Sequence, residues 1–192
     1  MNASPSPSLQ EPGARLPGPE LLIARLRFKL RRSRMSREDV NEQFADEASR
    51  IEALVDQCAP DKHATPVLIK RIRGIEDSSR HWSVYMTLDH LRIVNKSIAR
   101  IIEKLAAPET STLREISTAD VKPNPNADES ALRGFQESVS FVTERVSKIA
   151  NLKTERRHPH PWFGPLDGAA FYNLLARHMK LHRVQIEKIL HS

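Results

Sequence analysis

Residues 128–152 read D-E-S-A-L-R-G-F-Q-E-S-V-S-F-V-T-E-R-V-S-K-I-A-N-L. Within them Leu132, Phe135, Val139, Val142, Val146 and Ile149 step by 3, 4, 3, 4 and 3. At 3.6 residues per turn those steps hold six apolar side chains on one face, so the stretch predicts an amphipathic helix. The opposite face is polar and charged. Such a helix is stable only when its apolar stripe is covered, which makes the next question how many partners the chain supplies.

Three more stretches carry the same period. In 37–58, Val40, Phe44, Ala48, Ile51, Val55 and Cys58 step by 4, 4, 3, 4 and 3. Ser36 is placed to cap that helix, with Asp39 three residues on as in a capping box, and Pro60 closes it. In 82–105, Leu91, Val94, Ile98, Ile101 and Leu105 form the stripe, and Pro108 ends it. In 168–190, Asp167 is the expected N-cap. A short helix is expected at 66–74, with Thr65 as its cap and Pro66 at its first position. The stretch 108–126 is rich in Pro, Thr, Asn and Asp and reads as a long loop. No strand series stands out, and six glycines leave no material for a phosphate-binding glycine loop. The expected fold is all-α, an antiparallel four-helix bundle.

Composition sets the boundaries. Residues 1–19 are rich in Pro and Ser and poor in large apolar side chains, so a disordered tail is expected there. Residues 20–36 form a basic segment, and 37–192 form the bundle. The net charge of +6 is concentrated. Between Leu21 and Arg37 stand Arg25, Arg27, Lys29, Arg31, Arg32, Arg34 and Arg37 with no acid, and these seven exceed the whole net charge. The segment is expected to be a solvated flank that docks through Leu22, Ile23, Leu26 and Leu30. The other reading is a surface for nucleic acid, anionic lipid or an acidic partner. Its period fits a strand (Leu26, Phe28, Leu30) as well as a helix (Leu22, Leu26, Leu30). No apolar run approaches the ~20 residues that span a bilayer, and no secretory signal is evident, so a cytoplasmic location is expected. One cysteine, Cys58, precludes an internal disulfide and ends an apolar stripe, which predicts a buried thiol.

The last helix carries R-H-M-K-L-H, and with 8 His in the chain an i, i+4 pair alone says little. Position says more. Phe171, Leu174, His178, His182, Gln185 and Ile189 lie on one stripe, so the pair faces the core. A buried imidazole needs a hydrogen-bond partner or a metal. His90, in T-L-D-H-L, lies beside the apolar stripe of its helix and is a third inward candidate. Three His with open positions describe a catalytic metal site and not a closed structural one. The Glu of H-E-x-x-H is missing, so a metalloprotease lacks its base. The competing reading is core histidines satisfied by carbonyls, Asp89 or Gln185. His63 and His81 fall in or beside turns, His191 at the tail, and His158 and His160 in a Pro-rich loop where a structural role is expected.

Three motifs together resemble the DinB-like family. They are W-S-V-Y-M-T-L-D-H-L (residues 82–91), H-P-W-F-G-P-L (160–166) and the H-x-x-x-H of His178 and His182. Their order and spacing agree with the family's across roughly 37–190. The resemblance implies an up-down-down-up bundle in which His90, His178 and His182 hold a divalent metal (zinc, nickel, iron or manganese). It also implies a thiol-dependent transferase or isomerase using a low-molecular-weight thiol such as bacillithiol or mycothiol. Ala170 stands where the family's last helix has Glu or Gln. The functional expectation is therefore a metal-dependent S-transferase, or a metal-assisted hydrolase, acting on a small-molecule substrate. Asp89 and Tyr172 are candidates for a base by position only, while Trp82, Trp162 and Phe163 either line a pocket or pack. The alternative is a non-catalytic helical module using residues 20–37. The oligomeric state is open, a homodimer included.

Overall fold

The computed structural model describes residues 8–14, 16–107 and 117–192. Helix α1 spans Gly18–Arg32, α2 Arg37–Asp56, α3 Pro60–His63, α4 Val84–Ala106, α5 Ser130–Ser147 and α6 Gly168–Leu190. Two small antiparallel ladders sit in the connections, β1 (Val67–Leu68) with β2 (His81–Trp82), and β3 (His158–His160) with β4 (Gly164–Leu166).

Four long helices make the bundle, and side-chain bonds fix their directions. Asn95 donates to Ser138 Oγ at 3.0 Å and Arg145 to Glu103 at 2.6 Å, so α4 and α5 run parallel. Tyr172 donates to Asn41 at 2.8 Å and Arg183 to Glu47 at 2.5 Å, so α2 and α6 also run parallel. Arg37, at the start of α2, donates to the Val146 carbonyl near the end of α5 at 2.6 Å. Gly168, which opens α6, lies against Ile102 near the end of α4. The two parallel pairs are therefore antiparallel to each other, giving the order up, down, down, up. Parallel neighbours α4 and α5 need a connection that returns the length of the bundle, which accounts for the long segment 107–129.

Capping set the helix starts where the sequence put them. Ser36 Oγ accepts from Asp39 N at 3.1 Å, and Asp39 accepts from Ser36 N at 2.8 Å, a complete capping box. Asp167 caps α6 by accepting from Ala170 N at 2.7 Å. Phe44, Ile51, Leu91, Ile102, Phe135 and Leu175 are fully buried at the centre.

Several expectations are corrected. Residues 66–74 are not a helix, because Val67 and Leu68 pair with Trp82 and His81, and the ladder continues with Ile69 N donating to the Arg80 carbonyl. The short helix forms earlier, where Pro60 occupies its first turn, a position that requires no N–H. Trp82 accordingly belongs to β2, and α4 starts after Ser83, whose Oγ caps Met86 N at 3.1 Å. Cys58 lies beyond the end of α2 and is half-buried, not a core thiol. On α5 the buried face is rotated toward Ala131 and Ser138, leaving Leu132 and Val139 half-buried. Ser138 is tolerated there because it accepts from Asn95 and donates to the Phe135 carbonyl. The basic segment resolves as helix α1. Of the stretch read as a tail, 1–7 and 15 lie outside the described residues. Leu16 is buried, and Gly18 and Pro19 already belong to α1. The part of the expected loop at 108–116 also lies outside the described residues.

Candidate metal centre

His90 comes from the first half of α4, and His178 and His182 from successive turns of α6. Because α4 and α6 run antiparallel, these positions meet at one level of the bundle. Nε2 of His178 lies 3.2 Å from Nε2 of His90 and 3.0 Å from Nε2 of His182. One ring nitrogen from each residue falls within 4.8 Å of the others, a group that could hold a metal ion. Two nitrogens bound to a single tetrahedral zinc would sit roughly 3.3 Å apart, given Zn–N distances of about 2.0–2.1 Å. Among the described residues no Asp, Glu or Cys joins the group.

The outer partners test whether a cation fits. His90 Nδ1 lies 2.6 Å from the Val121 carbonyl, which can only accept, so Nδ1 carries the proton. His182 Nδ1 lies 2.7 Å from Gln185 Oε1, and Gln185 Nε2 donates to the Ser79 carbonyl at 2.7 Å. That second bond fixes the amide's orientation, so His182 also carries its proton on Nδ1. Burial pushes all three imidazoles toward the neutral form, His90 to about 4 and His178 and His182 well below their ordinary value. Two neutral rings therefore aim bare Nε2 lone pairs at His178. Its own Nε2 can offer one proton at most, so at least one contact sets lone pair against lone pair. A cation between the three removes that conflict, and the pinned Nδ1–H groups are the orienting bonds that metal-bound His uses.

Above the three rings lies a cavity of about 200 Å³. Phe171, Leu174, Val94 and Ile98 give it apolar walls, and Trp162 and Phe163 from the β3–β4 turn cover it. Trp82 does not line the cavity; it packs on the His rings, nearly parallel to His182 at 6.1 Å. His160, expected to be structural, lines the cavity. Its Nδ1 accepts from Trp162 N at 3.1 Å, and burial lowers its pKa to about 4. His158 is buried against Phe171.

The two candidates for a base are occupied elsewhere. Asp89 accepts from Arg92 at 2.7 Å and from Asn124 N at 2.9 Å. Tyr172 donates to Asn41, and burial pushes its pKa up to about 12. Glu76, Lys122 and Arg177, which the sequence reading missed, line the cavity. Glu76 has Oε2 bonded to Lys122 Nζ at 3.0 Å and Oε1 buried with no hydrogen-bond partner among the described residues. Lys122 also reaches Ser78 and Ser79 and lies 5.5 Å from the Trp82 ring. Arg177 lines the cavity with no hydrogen bond or ion pair among the described residues. The charges that act on it are those of Arg31 and Arg27. Glu76 lies in an aperiodic loop, so no sequence pattern marks it. Arg177 precedes His178 directly, and that adjacency was the available signal.

The sequence matches no protein-family model and no curated protein. Among solved structures, the fold is similar to the crystal structure of TT2238, a four-helix bundle protein, with a TM-score of 0.58. The two chains are 19% identical, over 78% of this chain and 97% of that one. At that identity the likeness shows the fold alone, and the protein is a four-helix bundle with a three-histidine cluster able to hold a metal.

Proposed function

We propose that this bundle is a metal-dependent enzyme of the DinB-like kind, with His90, His178 and His182 as its ligands. One observation carries the reading: three Nε2 atoms converge while the Nδ1 atoms of two are pinned to acceptors. A divalent ion held there would lower the pKa of a thiol or water bound in its open position, making a nucleophile near neutral pH.

The chain's own residues then define the chemistry. Phe171, Leu174 and Ile98 exclude water and suit an apolar substrate body. Arg177, with no carboxylate partner among the described residues, suits an anionic end of the substrate or of a small thiol. Glu76 Oε1 has no hydrogen-bond partner among the described residues, and Glu76 is the candidate to take a proton from the nucleophile. His160 accepts through Nδ1, so its Nε2 carries a proton and can donate into the cavity. The reaction class this favours is thiol transfer to a small substrate, with hydrolysis as the variant in which water replaces the thiol.

The test is elemental analysis of protein purified without a His tag and incubated with zinc, nickel, iron or manganese. About one equivalent of one of these per chain, lost in the His178→Ala variant, is the expected result. Stoichiometry far below one with every metal overturns the reading.

A further inference from the structure

Helix α1 presents four large apolar side chains to solvent. Leu22, Ile23, Leu26 and Leu30 are 59%, 51%, 60% and 52% exposed. Their spacing confines them to an arc of roughly 100° on the helix. This reverses the expectation that these four dock the segment. The docking face is the opposite one. There Phe28 is buried and packs on Phe163 with ring centroids 4.8 Å apart. Arg25 donates to the Trp162 carbonyl at 2.6 Å, Arg31 bonds Gln43, and Glu20 accepts from Arg71 at 2.6 Å and from Gly74 N at 2.7 Å. The helix is thus fastened with its apolar stripe outward.

The stripe has cationic edges. On the helical wheel Lys29 and Arg32 follow one side of it and Arg27 the other. No acid occurs between Leu21 and Arg37. An apolar face with basic flanks matches the interface of an anionic bilayer, where aliphatic side chains enter the acyl boundary and cations meet headgroup phosphates. Nucleic acid would use the cations but has no use for four aliphatic side chains. A second copy docked stripe to stripe would bring cationic edges against cationic edges. We propose that α1 is a membrane-surface helix that holds this protein on anionic phospholipid. No helix among the described residues is long and apolar enough to cross a membrane, so the attachment is peripheral. It has a consequence for the metal centre, because Ala24 of α1 also lines the cavity over the three His. The cavity then shares a wall with the membrane-bound helix.

The test is co-sedimentation of the full chain with vesicles of phosphatidylcholine alone and of phosphatidylcholine containing phosphatidylglycerol. Binding to the mixed vesicles only, weakened by salt, is expected. A Leu22→Asp, Leu26→Asp double variant should bind about tenfold or more weakly with its helical circular dichroism unchanged, because both positions are exposed. Arg27→Gln with Lys29→Gln should weaken binding and reduce its salt dependence. Three results would overturn the proposal. The first is no vesicle binding by the parent chain. The second is undiminished binding by the leucine variant, which marks a purely electrostatic surface. The third is a dimer, seen by light scattering without vesicle binding, that the leucine variant dissolves.

Discussion

His90 and His178, 88 positions apart in sequence, bring their Nε2 atoms to 3.2 Å inside a hydrophobic bundle. His90 and His182 both hold their protons on Nδ1, so the one proton that His178 Nε2 can offer satisfies only one of its two contacts, and the other is unfavourable without a cation. The metal-free protein therefore carries electrostatic strain that the loaded protein does not. Thermal unfolding should show this in two ways. Saturating metal at about 100 times its dissociation constant should add roughly 2.7 kcal/mol of stability. His90→Ala should abolish that gain. It should also cost the metal-free form less than the several kcal/mol that truncation of a buried side chain usually does. A metal-free variant that collapses outright, with its parent stable, would sink the strain argument.

Gln185 offers a more selective probe. It orients His182 through Oε1 and is itself held by the Ser79 carbonyl. Gln185→Leu keeps the volume and leaves all three candidate ligands in place. Loss of an orienting bond of this kind typically weakens metal binding by 10–100-fold. Competition against a chromophoric chelator measures it. Unchanged affinity would mean that packing against Trp82 alone orients the ring.

Much of this was legible in the sequence, and the rest was hidden for physical reasons. Helix α6 and both of its inward His followed from 3.6-residue periodicity and from Asp167 as its cap. That information is local. His90 was identified as inward by its own helix, yet that it faces His178 is a consequence of α4 and α6 running antiparallel. Glu76, Lys122 and Arg177 reach the cavity by tertiary placement, and loop residues 69–80 show no period to read. Helix α1 failed differently. Its apolar positions were recognised, but the rule that apolar faces dock inward gave the wrong side, because Phe28 alone supplies the buried anchor.

The ion pair of Glu47 and Arg183, at 2.5 Å between α2 and α6, is nearly as buried as the three-histidine cluster. Removing Glu47 leaves the Arg183 charge largely out of water with, among the described residues, only Glu187 bonded to it. Glu47→Ala should cost about 3 kcal/mol in urea unfolding of the metal-free protein. Arg50→Ala, which breaks the exposed pair with Asp46, should cost no more than about 0.5 kcal/mol. Similar values for the two would show that Glu187 fully replaces Glu47.

His160 makes acid sensitivity predictable in sign and range. Burial, reinforced by His158, holds its folded-state pKa at about 4, against an ordinary value of 6.5. Between those values the unfolded chain takes up a proton that the folded chain refuses, so stability falls as pH drops through that window. Above 6.5 the residue contributes no pH dependence. Below about 4 the loss is complete, on the order of 3 kcal/mol. The buried rings of the cluster add their own dependence, so the comparison that isolates His160 is with His160→Gln. Glutamine can still accept from Trp162 N but does not titrate. Denaturant unfolding of both proteins across this range should show a shallower loss in the variant, by about one proton. Parallel curves would mean that His160 takes up its proton as readily in the folded state as in the unfolded one, and burial would not be what holds it neutral.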